Sequence, residues 1–277
     1  MLARQHRNRV LLGMLPALAL AAGLIRGGCS SGEQVTTLSA EERFEKGKRL
    51  FDDGDYLEAI NEFTVVTLQY QGSGVADDAQ YYLGECRFMR EEYLVAAFEY
   101  QQLMRNLPAS PLVPDALFKI GLCYYHLSPR SALDQQYTHK AIDELQTFVE
   151  YNPAHPRAVE AEGLIKELTT RLARKSYEIA RQYALLEYYK SALFYFDDVI
   201  EKYHDTEYAP PSYVAKAEVL LARRRFADAL RTITLFLEKF PASDLRPRAL
   251  QLKATAEEKM GISPPSSGQP ATGLSSE

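Results

Sequence analysis

The chain has 277 residues, of which 46% are hydrophobic and 25% charged, so it can form a large folded body and shows no bias toward disorder. Its formal charge at pH 7 is −5, and without the four arginines of residues 1–28, a stretch that holds no acidic residue, the charge is −9. An acidic body argues against a nucleic-acid-binding protein, which needs a clustered basic face.

Residues 1–28 have the organisation of an export signal peptide. A basic start precedes an apolar run over residues 10–25, which glycine and proline interrupt and which is short for a transmembrane helix of about 20 residues. Gly27 and Gly28 then stand directly before Cys29 and resemble a bacterial lipobox, although Arg26 stands where leucine is usual. We expect the leader to be removed and Cys29 to be lipidated. The alternative is an ordinary secretory signal with an incidental cysteine.

Residues 29–38 are expected to form a flexible tether near the lipid, and the chain beyond them repeats one unit. Small residues recur 37 positions apart at Gly47, Gly84 and Gly121, and again at Ala180 and Ala217. A second position is alanine in every unit: Ala59, Ala96, Ala141, Ala192 and Ala229. Small residues let two helices pack closely. The pattern resembles the tetratricopeptide (TPR) repeat, so we predict an all-α, TPR-type helical-hairpin solenoid of about five repeats plus a C-terminal capping helix.

Residues 39–155 form the predicted N-terminal block of three repeats. Ser39 and Glu42 have the spacing of a capping box at the start of its first helix. In the third repeat the step from Gly121 to Ala141 is 20 residues instead of 12, which places a polar insertion over Ser128–Lys140. Such an insertion is either a binding loop or a tolerated surface loop.

Residues 156–260 form the predicted C-terminal block. A run without proline over 157–186 predicts one long helix, which two repeats and a capping helix over 245–260 then follow. Residues 261–277 are rich in proline, glycine and serine and are predicted to be disordered.

Catalytic and metal-binding patterns are missing from the sequence. The five histidines are scattered, and no glycine-rich nucleotide motif or nucleophile elbow occurs, so we expect no metal, no cofactor and no enzymatic activity. Cys86 and Cys123 are 37 residues apart and occupy one position of adjacent repeats. Equivalent side chains of stacked helices point in parallel directions, so we predict two free, buried thiols rather than a disulfide.

Several segments together resemble the outer-membrane protein assembly lipoprotein family BamD (ComL) over residues 38–260. They are FDDGDYLEAINEF, DDAQYYLGECRF, LDQQYTHKAIDELQTFVEYNP, RKSYEIARQYALLEYYKSALFYFDDVIEKY and LEKFPASD. The run around the insertion is the most specific of these segments, because generic TPR proteins lack it.

The resemblance implies a lipid-anchored scaffold subunit of the outer-membrane β-barrel assembly (BAM) complex, on the periplasmic face of the cell outer membrane. It also implies that the C-terminal block docks on the periplasmic domain of the barrel-forming subunit, and that the N-terminal groove receives unfolded outer-membrane protein precursors. The alternative is a generic TPR lipoprotein scaffold for cell-envelope or peptidoglycan enzymes.

Aromatic residues of the first helices are the candidate peptide-binding residues. They recur at two positions of repeats one to three: Phe44, Phe51, Tyr81, Phe88, Phe118 and Tyr125. A concave strip of such side chains suits an extended peptide that ends in an aromatic residue. Aromatic residues at helical spacing are also ordinary core residues, and this interpretation stays open.

Overall fold

The computed structural model describes residues 38–262, and every regular element in that range is an α-helix. The eleven helices of this range are α1 (Ala40–Asp52), α2 (Tyr56–Gln69), α3 (Ala76–Met89), α4 (Tyr93–Asn106), α5 (Val113–Leu127), α6 (Gln136–Tyr151), α7 (Ala158–Leu185), α8 (Tyr189–Lys202), α9 (Ala209–Ala222), α10 (Phe226–Lys239) and α11 (Arg246–Lys259). The predicted signal peptide, Cys29 and nearly all of the predicted tether and tail lie outside the described residues.

The helices form five hairpins and a closing helix, which confirms the predicted TPR-type solenoid. Each helix packs on the next one in the chain, and α1–α3, α5–α7, α7–α9 and α9–α11 also touch. The predicted capping box is present, since Ser39 Oγ accepts from the Glu42 N–H and Glu42 Oε2 accepts from the Ser39 N–H. The closing helix α11 buries Ala249 and Leu252 against the last hairpin.

Glycine is required where the two helices of each of the first three hairpins cross. A Cβ atom at Gly84 would lie 2.6 Å from the Tyr100 ring, a separation that real Cβ contacts do not reach. Equivalent clashes below 3 Å pair Gly47 with Phe63 and Gly121 with Leu145. The close approach inferred from the small residues is therefore confirmed, and tight helix crossing explains the glycines of the repeat.

Four of the hairpins turn through three residues, and the central residue of each turn has a positive φ. The central residues are Gly54 (85°), Glu91 (60°), Glu187 (61°) and Arg224 (57°). Only the first is glycine, although L residues other than asparagine and aspartate rarely adopt this conformation. Three of these turns therefore carry a charged side chain where glycine would be the unstrained choice.

The third hairpin turns instead through residues 128–135, and the long helix α7 follows it as predicted. The first half of α7 shares a buried core with the third hairpin through Ala161 and Leu168. Its second half packs Ala180 against Phe196 in the fourth hairpin. One helix of 28 residues, about 42 Å long at 1.5 Å per residue, thus belongs to two hairpins.

Two further observations concern sulfur and the membrane. Cys86 and Cys123 are buried and free, which confirms the prediction of two thiols. Within residues 38–262, no helix combines the length and the hydropathy needed to cross a bilayer.

Candidate functional site

The first row of candidate aromatic residues, Phe44, Tyr81 and Phe118, is not uniform in burial. Phe44 and Tyr81 are half-buried, whereas Phe118 has no exposed surface. Its ring centroid lies 5.3 Å from that of Phe148, and the Arg157 guanidinium covers it at 4.9 Å. Phe118 is therefore a core residue, and its assignment to a peptide-contacting strip is wrong.

The second row, Phe51, Phe88 and Tyr125, stays half-buried in all three hairpins. Each phenylalanine packs edge-to-face on the first residue of the following helix. Phe51 lies 5.5 Å from Tyr56, and Phe88 lies 5.3 Å from Tyr93. These aromatic pairs repeat at the edge where the hairpins turn, and they form the part of the predicted strip that reaches the surface.

The insertion changes this pattern in the third hairpin. The Tyr125 hydroxyl donates to Glu167 of α7 at 2.8 Å, so it contacts the next hairpin rather than a neighbour across its own turn. His126 instead joins the second pair, with its ring 4.7 Å from Tyr93 and inclined by only 7°. Burial lowers the pKa of His126 below its ordinary value, which favours the neutral ring. The repeat gave no signal for His126, because the equivalent residues are Met89 and Asp52.

A buried charged network lies beneath Phe88. Lys119 Nζ is 2.8 Å from the Glu85 carboxylate and 4.7 Å from the Phe88 ring centroid. The Tyr100 hydroxyl donates to Glu85 at 2.5 Å, and burial, reinforced by Glu85, raises the pKa of Tyr100 far above its usual value. The network joins the second and third hairpins and fixes the orientation of the Phe88 side chain from below.

Tyr177 occupies the first-row position in the fourth hairpin, three residues before Ala180. Its ring lies 6.2 Å from Phe196 and 5.6 Å from Tyr208. The 37-residue phase breaks between the third and fourth hairpins, so a search at fixed spacing misses Tyr177. Counting back from Ala180 instead would have found it.

The insertion and α7 line opposite sides of a groove with a volume of about 820 Å³, and Glu207 and Tyr208 also border it. Arg171 holds the insertion in place by donating to the Ser128 carbonyl at 3.0 Å and to the Pro129 carbonyl at 3.3 Å. The Gln135 amide closes the loop internally through the Leu133 carbonyl at 2.9 Å. Charges of both signs line the groove: Arg130, Arg171, Arg174, Glu167, Glu178 and Glu207.

The turns of the fourth and fifth hairpins form a second exposed surface of different character. Leu185, Tyr188 and Phe194 are 83%, 62% and 66% exposed. Next to them, the turn 223–225 consists of three exposed arginines, and its first guanidinium lies 5.7 Å from the Tyr189 ring. Apolar side chains beside a basic turn are suited to contact with another protein.

These surfaces carry aromatic, apolar and charged side chains. Within residues 38–262 no group of three or more histidine, cysteine, aspartate or glutamate side chains is placed to hold a metal ion. Some polar groups of these sites join neighbouring hairpins, since Tyr125 donates to Glu167 and Lys119 pairs with Glu85.

Comparison with known proteins gives a consistent family. The family model YfiO, described as an outer membrane lipoprotein, matches residues 37–220. The outer membrane protein assembly factor BamD of Rickettsia prowazekii is 26% identical over 198 residues, which cover 71% of this chain and 78% of the relative. The protein of the same name from Haemophilus influenzae is 24% identical over 205 residues, covering 70% and 77%.

Solved structures with a similar course of the chain are TPR proteins. The TPR2AB domain of yeast Sti1 is 18% identical, with a TM-score of 0.44, over 80% of this chain and 84% of that one. A TPR protein from Bacteroides fragilis is 13% identical, with a TM-score of 0.40, over 82% and 87%. At these scores the likeness carries no argument about function.

Proposed function

The chain belongs to the YfiO family of outer membrane lipoproteins, and from this membership we propose that it is a scaffold subunit of the outer-membrane β-barrel assembly complex. The observation that carries the proposal is the family match over most of the solenoid, together with relatives named as outer membrane protein assembly factors. In this role the chain assists the insertion of β-barrel proteins into the outer membrane and catalyses no reaction, and it needs no cofactor.

The proposed location is the periplasmic face of the outer membrane, with lipid on Cys29 as the anchor. Cys29 follows a basic and apolar leader and two glycines, which is the arrangement that lipid attachment uses. Two or three acyl chains hold a protein at a bilayer stably, whereas one chain does not. The tether to Leu38 then keeps the solenoid close to the membrane.

The proposed docking site for the barrel-forming subunit is the surface at the turns of the fourth and fifth hairpins. The exposed Leu185, Tyr188 and Phe194 supply apolar area, and Arg224 supplies a charge at the centre of the basic turn. This composition is typical of protein–protein interfaces, whose cores are rich in apolar and aromatic side chains and in arginine. The periplasmic domain of the partner is expected to present apolar and acidic residues here.

The proposed receptor for unfolded barrel precursors is the second aromatic row with its neighbours, above all Phe51, Phe88 and Tyr93. An extended peptide that ends in an aromatic residue can place its last ring against such edge-to-face pairs. Tyr81 and Phe44 stand behind them as half-buried walls.

We test the role with an affinity-tagged chain that is recovered from detergent-solubilised membranes. The barrel-forming subunit is expected to co-purify with the tagged chain in stoichiometric amount. Recovery of cell-wall enzymes without the barrel-forming subunit would instead support the generic scaffold. Cys29→Ala is expected to leave the solenoid intact but to move the chain to the soluble periplasmic fraction.

The peptide groove is tested by substituting one half-buried and one fully buried phenylalanine. Phe88→Leu is expected to weaken binding of a synthetic aromatic-ending precursor peptide by about two- to tenfold, because an aromatic contact contributes about 0.5–1.5 kcal/mol. Phe118→Leu is the matched control, since a residue without exposed surface affects stability but not peptide affinity. Fluorescence anisotropy measures the affinity, and equal effects of the two substitutions would contradict the assignment.

A further inference from the structure

We propose that the outward faces of α2 and α4 form a docking surface for a protein segment whose apolar side chains are flanked by lysine or arginine. The surface, here called the outer apolar patch, consists of Leu57, Leu94, Val95 and Phe98. These residues are 52%, 51%, 41% and 51% exposed. The proposal is independent of the peptide groove and of the barrel-forming subunit.

The repeat places the members of the patch at matching positions of α2 and α4. Leu94 and Phe98 are four residues apart and share one face of α4, with Val95 beside them. Leu57 is the residue equivalent to Leu94 in the preceding hairpin, and both stand in the first turn of their helix. The opposite face of α4 buries Ala96. Helix α4 therefore packs on one face and leaves the apolar side chains of its other face exposed within the described residues.

Exposed carboxylates lie at the end of the patch that borders the hairpin turns. Asp53, Asp55, Glu58 and Glu91 are exposed beside it, in the two turns and the first turn of α2. Among the described residues, none of these four carboxylates takes part in an ion pair, whereas Glu92 nearby is paired with both Arg87 and Arg90. An apolar centre with an acidic rim selects a partner with an apolar centre and a basic rim, because complementary charge sets the specificity and the association rate.

A lipid surface is the other occupant that the position suggests. With lipid on Cys29, as proposed above, nine residues lead to Leu38 and span at most about 32 Å when extended. The bilayer is thus within reach, but surfaces that bind lipid headgroups carry lysine and arginine rather than carboxylates. The rim of the patch therefore favours a basic protein segment over the membrane.

Two synthetic peptides test the charge requirement on the full-length protein. Both are amphipathic helices with leucine at positions i, i+3, i+4 and i+7, one with flanking lysines and the other with flanking glutamates. The lysine peptide is expected to bind at least tenfold more tightly, and its binding is expected to weaken as salt is raised. Equal affinity for both peptides would overturn the proposal.

Substitutions then assign the binding to the patch. Two double variants are expected to weaken binding of the lysine peptide at least tenfold. One combines Leu94→Ser with Phe98→Ser, and the other combines Asp55→Lys with Glu58→Lys. Leu68→Ser is the matched control, because Leu68 is 69% exposed at the far end of α2 and its loss is expected to leave affinity unchanged. All these side chains are exposed, so circular dichroism is expected to show unchanged helicity. Unchanged affinity in either double variant would overturn the proposal.

A photo-crosslinking residue at position 98 identifies the occupant in membranes. Adducts to a protein segment with flanking lysine or arginine support the proposal, with position 68 as the control site. Adducts to lipid, to a second copy of this chain, or to acidic segments only would overturn it.

Discussion

Gly84 and Gly163 differ in what one added methyl group would meet. At Gly84 the new Cβ would lie 2.6 Å from the Tyr100 ring, which its hydrogen bond to Glu85 holds in place. At Gly163, in α7, nothing lies within 4 Å. We expect Gly84→Ala to destabilise the protein by about 2 kcal/mol through overpacking, and Gly163→Ala to stabilise it by about 0.5–1 kcal/mol. Urea unfolding measures the change in the free energy of unfolding for both variants. Changes of the same sign would contradict the close helix crossing at Gly84.

Two glutamates at equivalent positions of the second helices have pKa values shifted in opposite directions. Burial by itself would raise the pKa of Glu62, but hydrogen bonds and charge from Lys46 and Arg43, at 2.7 and 3.0 Å, hold it below its usual value. Burial raises the pKa of Glu144, and the Asp143 carboxylate adds to this shift. The difference has a simple origin, since the third hairpin has Leu117 where the first has Arg43.

The two glutamates are therefore expected to affect stability with opposite signs. A lowered folded-state pKa stabilises the fold above the unfolded value near 4.5, and this contribution is lost as the pH falls below it. Glu62→Gln should thus cost about 1 kcal/mol at pH 7 and little at pH 3. Glu144→Gln should instead raise the midpoint of thermal unfolding at pH 7, because it removes an ionised group that the fold disfavours. Thermal unfolding at both pH values tests this pair.

Predictions for single residues rest on the position of each residue within the repeat. That position alone does not predict how deeply a side chain is buried. The predictions placed the close-crossing glycines and the two thiols correctly, because both follow from equivalence between repeats. They treated Phe44, Tyr81 and Phe118 as equal, yet only Phe118 is fully buried. The cause is the following hairpin, since Arg157 at the start of α7 covers the Phe118 ring and the earlier hairpins have no such cover.

At the scale of elements, the insertion before α6 shows how an irregular loop is kept in one place. Arg171 donates to two carbonyls of the loop, and Lys175 Nζ donates to a third, that of Leu133, at 2.5 Å. The carbonyls of Ser128 and Pro129 are thus satisfied from α7, and that of Leu133 accepts from both Gln135 and Lys175. The insertion is therefore an ordered part of the groove wall.

Arg171→Ala is expected to loosen the insertion. Removing a charged donor from the carbonyls of residues 128 and 129 should cost about 1.5–3 kcal/mol and speed hydrogen exchange across residues 128–135. Arg174→Ala is the control, because Arg174 is 56% exposed and pairs only with Glu178. Hydrogen exchange with mass spectrometry measures the protection of residues 128–135 in both variants. Equal protection of the loop in both would show that other contacts hold it.

The elements themselves could largely be predicted, since helix periodicity, capping and the 37-residue repeat all agree. The long helix followed from a run of 30 residues without proline, and the closing helix from its place after the last repeat. The conformation of the insertion did not, because its order depends on Arg171, which lies some 40 positions later in the chain. The positive φ of Glu91 and Arg224 was equally hidden, because glycine marks this turn position only at Gly54.

For the whole molecule, stability is expected to vary by region, because every helix contacts only near neighbours along the row. Ending the chain after Asp244 removes α11 and uncovers the buried face that includes Ile233 and Phe236. Amide exchange should then rise in α9 and α10, while protection of α1 to α4 stays as it is. Exchange of the full and shortened chains tests this expectation, and a uniform rise over all helices would contradict it.

The length of α7 has a mechanical consequence for the row of hairpins. A connection made of loops can act as a hinge, whereas an uninterrupted helix resists bending and twisting along its whole length. The third and fourth hairpins share such a rod, with its first half fixed to one and its second half to the other. A torque applied to the fourth hairpin is therefore transmitted through α7 to the insertion and the 820 Å³ groove beside it, instead of being absorbed at a joint.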